Sequence, residues 1–178
     1  MDVKMGAERT SEIVKGLRSF SRTDTDSLQI LYVNEGIDTA LLLLKNRYKN
    51  RIEIIKDYAD FIPEYSCYPS KINQVFLNII ANGIDAIKEQ GKIWISTKFE
   101  NETIFISVKD SGSGIPDDLK ERIFDPFFTT KAVGKGTGLG LSISYGTIIE
   151  HNGEIEVFSE LNKGTEFKIS LPLNFNNK

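Results

Sequence analysis

Three polar residues, Asn78, Asn82 and Asp85, fall together on a helix that apolar spacing predicts over residues 70–88. Its core stripe is Ile72, Val75, Phe76, Ile79, Ile80 and Ile87. At about 100° per residue the polar ridge stands roughly 130° from the centre of that stripe. A solvated helix face more often uses Lys or Glu. Amide and carboxylate oxygens are hard ligands of the kind Mg²⁺ shares with phosphate and water. Taken alone, the ridge reads more readily as a plain solvated face.

A second cluster is Asp110-Ser111-Gly112-Ser113-Gly114-Ile115-Pro116, directly behind a strand expected over 103–109. An aspartate at a strand end can accept a hydrogen bond from an exocyclic amine, and the glycines let backbone approach a flat ligand. The bland alternative is an Asp-Gly turn. A third is Phe124-Asp125-Pro126-Phe127-Phe128-Thr129-Thr130-Lys131, followed by Gly134-Lys135-Gly136-Thr137-Gly138-Leu139-Gly140-Leu141. Backbone amides of such a turn at a helix N-terminus suit a polyphosphate, and Lys131 and Lys135 could neutralise charge. Packing of the aromatics and a flexible glycine linker are the alternatives. No G-x-x-x-x-G-K-[ST] is present, Leu141 stands where a dinucleotide fingerprint needs glycine, and the D-F-G and H-R-D motifs are absent.

The elements that must hold these groups follow the chain. A helix is expected over 3–22, a strand over 28–33, a helix over 35–49 capped by Asn34, and a strand over 51–58. Pro63 and Pro69 bracket a loop, Ser70 caps the ridge helix and Gly91 stops it. A hairpin over 92–99 and 103–109 turns at Glu100-Asn101. After the glycine-bearing loop come a helix over 139–150 and strands over 154–159 and 165–172. Helices on one face of a mixed or antiparallel sheet are the natural architecture.

The chain has 178 residues, 40% hydrophobic and 26% charged, which suits one globular domain. A net charge of −3 disfavours nucleic acid as a partner. The longest apolar run, residues 40–44, is too short to span a bilayer, so no membrane contact is expected. Cys67 alone excludes a disulfide framework.

Together the clusters resemble the motif series of sensor histidine kinases. Residues 74–82 resemble the N box, Asp110-x-Gly112-x-Gly114 the G1 box, Phe124 to Phe128 the F box and Gly136 to Leu141 the G2 box. Lys163-Gly164-Thr165-Glu166-Phe167 resembles the closing glycine-threonine motif. Order and spacing match over about 150 residues, which no single motif could establish. The match is nearest to the nitrogen-sensing branch.

The resemblance implies an α+β fold: a two-layer α/β sandwich of the gyrase, heat-shock chaperone, histidine kinase and mismatch-repair (GHKL) type, with a mixed sheet and helices on one face. It implies a catalytic domain over residues 27–175 with an ATP lid at about 115–137. It implies Mg²⁺ on Asn82, phosphate assistance from Asn78 and adenine held at Asp110 with Thr165 nearby. Asp85, Gly112, Gly114, Ile115, Phe128, Gly136, Thr137, Gly138, Leu139, Gly140 and Leu141 complete the expected nucleotide contacts, and Lys131 is the expected γ-phosphate contact. Gly83 departs from the family pattern, where alanine is usual.

Residues 1–24 resemble the end of the second helix of the dimerisation and phosphoacceptor hairpin, without the acceptor histidine. His151, the one histidine, is expected to be structural. The implied activity is donation of the γ-phosphoryl group of Mg-ATP to an acceptor histidine helix, with a response-regulator receiver domain downstream and ADP released. A cytoplasmic location, and a homodimer through the N-terminal helix, would follow from the same resemblance. The same core motifs leave open an ATP-hydrolysing clamp, a Ser/Thr protein kinase or a non-catalytic nucleotide sensor. The clamp carries a glutamate where this chain has Asn78, and an amide is a poor general base.

Overall fold

The computed structural model describes residues 27–130 and 137–174. The helix expected over 3–22, and the expected site residues Lys131 and Gly136, lie outside the described residues.

The elements run β1 (Gln29–Leu31), α1 (Val33–Tyr48), β2 (Ile52–Tyr58), β3 (Tyr65–Cys67), α2 (Pro69–Ala86), β4 (Gly91–Glu100), β5 (Thr103–Asp110), α3 (Asp117–Lys120), α4 (Gly140–Glu150), β6 (Glu154–Glu160) and β7 (Gly164–Pro172). Five strands form one mixed sheet in the order β2-β4-β5-β7-β6, in which only β2 and β4 run parallel. β1 and β3 make a separate antiparallel pair. The expected α+β sandwich is the fold observed.

Strand alternation explains what the sheet offers its helices. Ile93, Ile95 and Thr97 of β4, Ile104, Ile106, Val108 and Asp110 of β5, and Thr165, Phe167, Ile169 and Leu171 of β7 are all buried on one face. Helix α2 covers that face with Ile72, Val75, Phe76, Ile79, Ile80 and Ile84, each essentially inaccessible. Burying one such side chain stabilises by about 1.5–3 kcal/mol, so this stripe holds α2 firmly in the core, between the sheet and the helices α1 and α4. The period-two pattern of β5 therefore ends by placing a carboxylate, Asp110, on the core face.

Several local expectations are corrected. The loop between Pro63 and Pro69 contains β3, whose three residues are too few to show a period. Tyr32, not Asn34, precedes the first turn of α1, and Asn34 instead accepts the Thr97 hydroxyl at 3.0 Å. Pro69 opens α2 in place of a Ser70 cap, because its ring presets helical φ and its missing N–H is one the helix start leaves unpaired. Helix α2 ends at Ala86, before Gly91, which opens β4. Arg51 satisfies the carbonyls left there, donating to Ile87 O at 2.6 Å and Ile84 O at 3.1 Å. The β4–β5 turn sits one residue later than expected, on Asn101 and Glu102, both with positive φ.

Candidate functional site

Asp110 is 3% exposed and sits at the end of β5, opposite Thr165 of β7 and Ile93 of β4. Its Oδ1 accepts the Gly112 N–H at 2.7 Å, and the Thr165 backbone N–H also points to the carboxylate. Burial pushes its pKa up to about 6, against the partial counter-effect of those two donors. A carboxylate held in this way is ready to accept a hydrogen bond from a ligand that replaces lost water.

Two turns build the wall beside it. Gly114 (φ +68°) and Gly164 (φ +101°) both adopt left-handed backbone. A Cβ on Gly114 would stand 2.1 Å from Glu160 O, and one on Gly164 would stand 1.9 Å from Asp110 O. The turn after β5 and the turn between β6 and β7 thus interlock backbone to backbone, and Asn162 N–H donates to Ser113 O at 2.7 Å. Ser113 N–H also donates to Ala86 O, which anchors the first turn to the end of α2. Across the carboxylate, a Cβ on Gly83 of α2 would lie 3.3 Å from Asp110 Cβ and 3.6 Å from Oδ2. The glycine that departs from the family pattern keeps open the space against Asp110.

The amide ridge divides into different tasks. Asn78 donates to Gly140 O at 3.0 Å and Ser144 Oγ at 3.2 Å, and accepts Gln74 Nε2 at 2.8 Å. Its side chain therefore moors the first turn of α4 to α2. Asn82, one turn on, is half-buried. Asp85 is exposed and forms an ion pair with Arg47 of α1, a partner the sequence reading did not foresee.

At the root of the segment expected to form the lid, described residues on either side come together. A Cβ on Gly138 would stand 2.3 Å from the Phe127 carbonyl carbon, so Phe127 and Gly138 lie backbone against backbone. Phe124 lies against Tyr145 of α4 with ring centroids 5.2 Å apart, and Phe128 lies under the Arg122 guanidinium at 4.9 Å. Leu139 N–H reaches the Thr137 hydroxyl at 3.4 Å, just ahead of Gly140 and Leu141 at the start of α4. The first N–H groups of α4 have no carbonyl of their own helix to meet, and the Asn78 bond fixes their direction relative to α2.

Ile115, where the lid is expected to begin, is half-buried; its N–H is held by Ser159 Oγ at 2.8 Å. Ser159 was missed in the sequence, where a serine in a strand gives no signal beyond polarity. Thus Asp110, Gly112, Gly114, Ile115 and Thr165 gather at one end, and Asn78, Gly140 and the start of α4 at the other. Asn82 lies on the helix between them. Arg47 holds Asp85 at the surface end of the ridge.

Residues 67–174 match the family described as histidine kinase-, DNA gyrase B-, and HSP90-like ATPase. The chain is 36% identical over 187 residues to the sensor kinase CckA of Brucella abortus (strain 2308), covering 97% of this chain and 20% of that protein. The nucleotide-free catalytic domain of histidine kinase ThkA superposes with a TM-score of 0.74 at 34% identity, over 83% of this chain and 96% of that one. Histidine kinase ThkA in complex with response regulator protein TrrA gives a TM-score of 0.72 at 28% identity, over 98% of this chain and 50% of that one. The chain spans about a fifth of the length of the curated relative CckA.

Proposed function

Because the chain belongs to the histidine kinase-, DNA gyrase B- and HSP90-like ATPase family, and within it to the histidine kinase catalytic domains, we propose that it binds Mg-ATP and donates the γ-phosphoryl group to a histidine on an acceptor helix. The observation that carries this reading is the buried Asp110 carboxylate, with space left at Gly83 and a wall of interlocked turns at Gly114 and Gly164. That arrangement fits a flat base bearing an amine. Residues 27–175 would form the catalytic unit, with residues 115–137 as its lid and residues 1–24 as the end of the acceptor hairpin. A response-regulator receiver domain would be the downstream partner.

In this reading Asp110 accepts the exocyclic amine, and Thr165 supports it. Asn82 would hold Mg²⁺ through its side-chain oxygen, a donor of the hard type that ion takes. The ion, when bound, would offset charge on the phosphates. Helix α4 would direct its first amides at the phosphate chain, held at the correct angle by Asn78. Lys131 would meet the γ-phosphate, and the lid would exclude water. Phosphoryl transfer depends mainly on positioning and charge neutralisation. The attacking nitrogen belongs to the acceptor imidazole, whose nitrogen–phosphorus bond forms as the bond to the departing ADP oxygen breaks. Asn78 carries no basic group and is already engaged, so water activation at this helix is disfavoured and hydrolysis is slow.

Radiolabelled ATP supplied with a separate acceptor hairpin tests this. Acid-labile label should appear on the hairpin's histidine, slowly, because the effective concentration of a linked acceptor is absent. Steady phosphate release with no label on the hairpin would favour the clamp reading. Label on serine or threonine would favour the protein-kinase reading.

A further inference from the structure

Ser159 of β6 gathers three contacts on one hydroxyl. It accepts the Ile115 N–H at 2.8 Å, and lies 3.0 Å from Gly164 O and 2.9 Å from Thr165 Oγ1. A serine hydroxyl has one proton and two lone pairs. The Ile115 N–H occupies one lone pair. The Gly164 carbonyl can only accept, so it takes the Ser159 proton. The contact with Thr165 then has one sense that satisfies all partners: Thr165 donates into the remaining lone pair.

That assignment fixes the character of the neighbouring site. Thr165 is 4% exposed, and its single hydroxyl proton is directed at Ser159. Its oxygen is left as an acceptor. Asp110, its register partner across β5 and β7, supplies a second acceptor beside it. Two adjacent acceptors match a base edge that offers an amino group or an ordered water, and oppose one that offers a carbonyl at the same place.

We infer that Ser159 is a positioning residue for base selection: by holding the Thr165 proton and the Ile115 N–H, it makes the base end of the site acceptor-only and ties it to the root of the lid. The inference rests on the ATP-binding reading above and adds to it the residue that sets discrimination. A merely structural strut would weaken every nucleotide alike. A residue that sets acceptor character changes the ratio between a 6-amino and a 6-oxo purine.

Displacement of a fluorescent ATP analogue from the full chain, by ATP and by inosine triphosphate with Mg²⁺ present, reads that ratio. Ser159→Ala should weaken ATP about tenfold, the usual worth of one oriented hydrogen bond, and inosine triphosphate by less than about twofold. Ser159→Thr keeps the hydroxyl and should keep the parent ratio. Thr165→Val, of similar shape without the hydroxyl, removes the acceptor itself and should lose the ratio as well, while Ser159→Cys, whose thiol is a weaker acceptor, should lose part of it and keeps the role of Ser159 open to test if Ser159→Ala fails to fold. Equal weakening of both nucleotides in these variants, or an unchanged ratio in Thr165→Val, overturns the inference. A folded parent that binds neither nucleotide overturns the ATP reading itself. A parent that binds ATP while the variants keep its ratio overturns only the role of Ser159.

Discussion

Asp110 ends a strand whose preceding inward residues, Ile104, Ile106 and Val108, are plain core. The same alternation that buries them buries a carboxylate, which raises its pKa from 3.8 to about 6. Between those two values the folded chain holds a proton that the unfolded chain has lost. Stability therefore falls as pH rises through that window, and levels off above it. Asp110→Asn should remove this dependence. Relative to the parent, the variant should gain up to about 2 kcal/mol between pH 4 and pH 7.5 in denaturant melts, before any loss from the Gly112 and Thr165 bonds. ATP affinity of the parent should also decline below about pH 6, as the acceptor protonates. Melts in which parent and variant keep a constant difference across the window would refute this account of the carboxylate.

His151 joins two elements. The Thr147 carbonyl lies 2.7 Å from its Nδ1, and the Tyr68 backbone N–H donates to Nε2 at 3.2 Å. The pair of contacts requires the neutral ring with its proton on Nδ1, and burial pushes its pKa down. The C-terminal end of α4 is thereby bonded to the start of α2, at the end of α4 opposite to the Asn78 mooring. A histidine with a depressed folded pKa contributes stability that is present above the unfolded value near 6.5 and is lost as pH falls below it. His151→Ala should cost about 1–3 kcal/mol at pH 7.5, with a smaller penalty at pH 5. A penalty that grows on acidification would contradict the neutral assignment.

At this scale the sequence was legible where a pattern repeats. The alternation of β5, the apolar stripe of α2 and the ordered glycine turns each spread one signal over many residues. Elements and contacts without repetition were not legible. β3 has three residues. Arg51 meets carbonyls more than thirty residues away, and Arg47 meets Asp85 from another helix. Ser159 reads as an ordinary strand serine until β7 is laid beside it. The structural role expected of His151 agrees with its burial, though its partners were not readable.

For the molecule as a whole, one sheet face carries the helices and the other keeps large rings partly exposed. Lys109 lies over Trp94 at 5.8 Å and Lys168 over Phe158 at 4.7 Å, so cations cover part of that aromatic surface. No helix among the described residues is long and apolar enough to cross a membrane. The site depends on all three parts of the covered layer: sheet, α2 and α4. The Asn78 and His151 contacts that join the helices hold α4 in place, and the interlocked turns hold the base end. The proposed transfer asks the domain to grip a nucleotide at both ends while the acceptor comes from elsewhere. The most direct test is calorimetric titration of ATP into the folded chain, with and without Mg²⁺, against Asp110→Ala and Asn82→Ala. The account predicts saturable binding by the parent, at least tenfold loss in Asp110→Ala in either condition, and a loss in Asn82→Ala that appears chiefly with Mg²⁺ (about tenfold or more for a buried or charged contact). Both variants binding as tightly as the parent would contradict it.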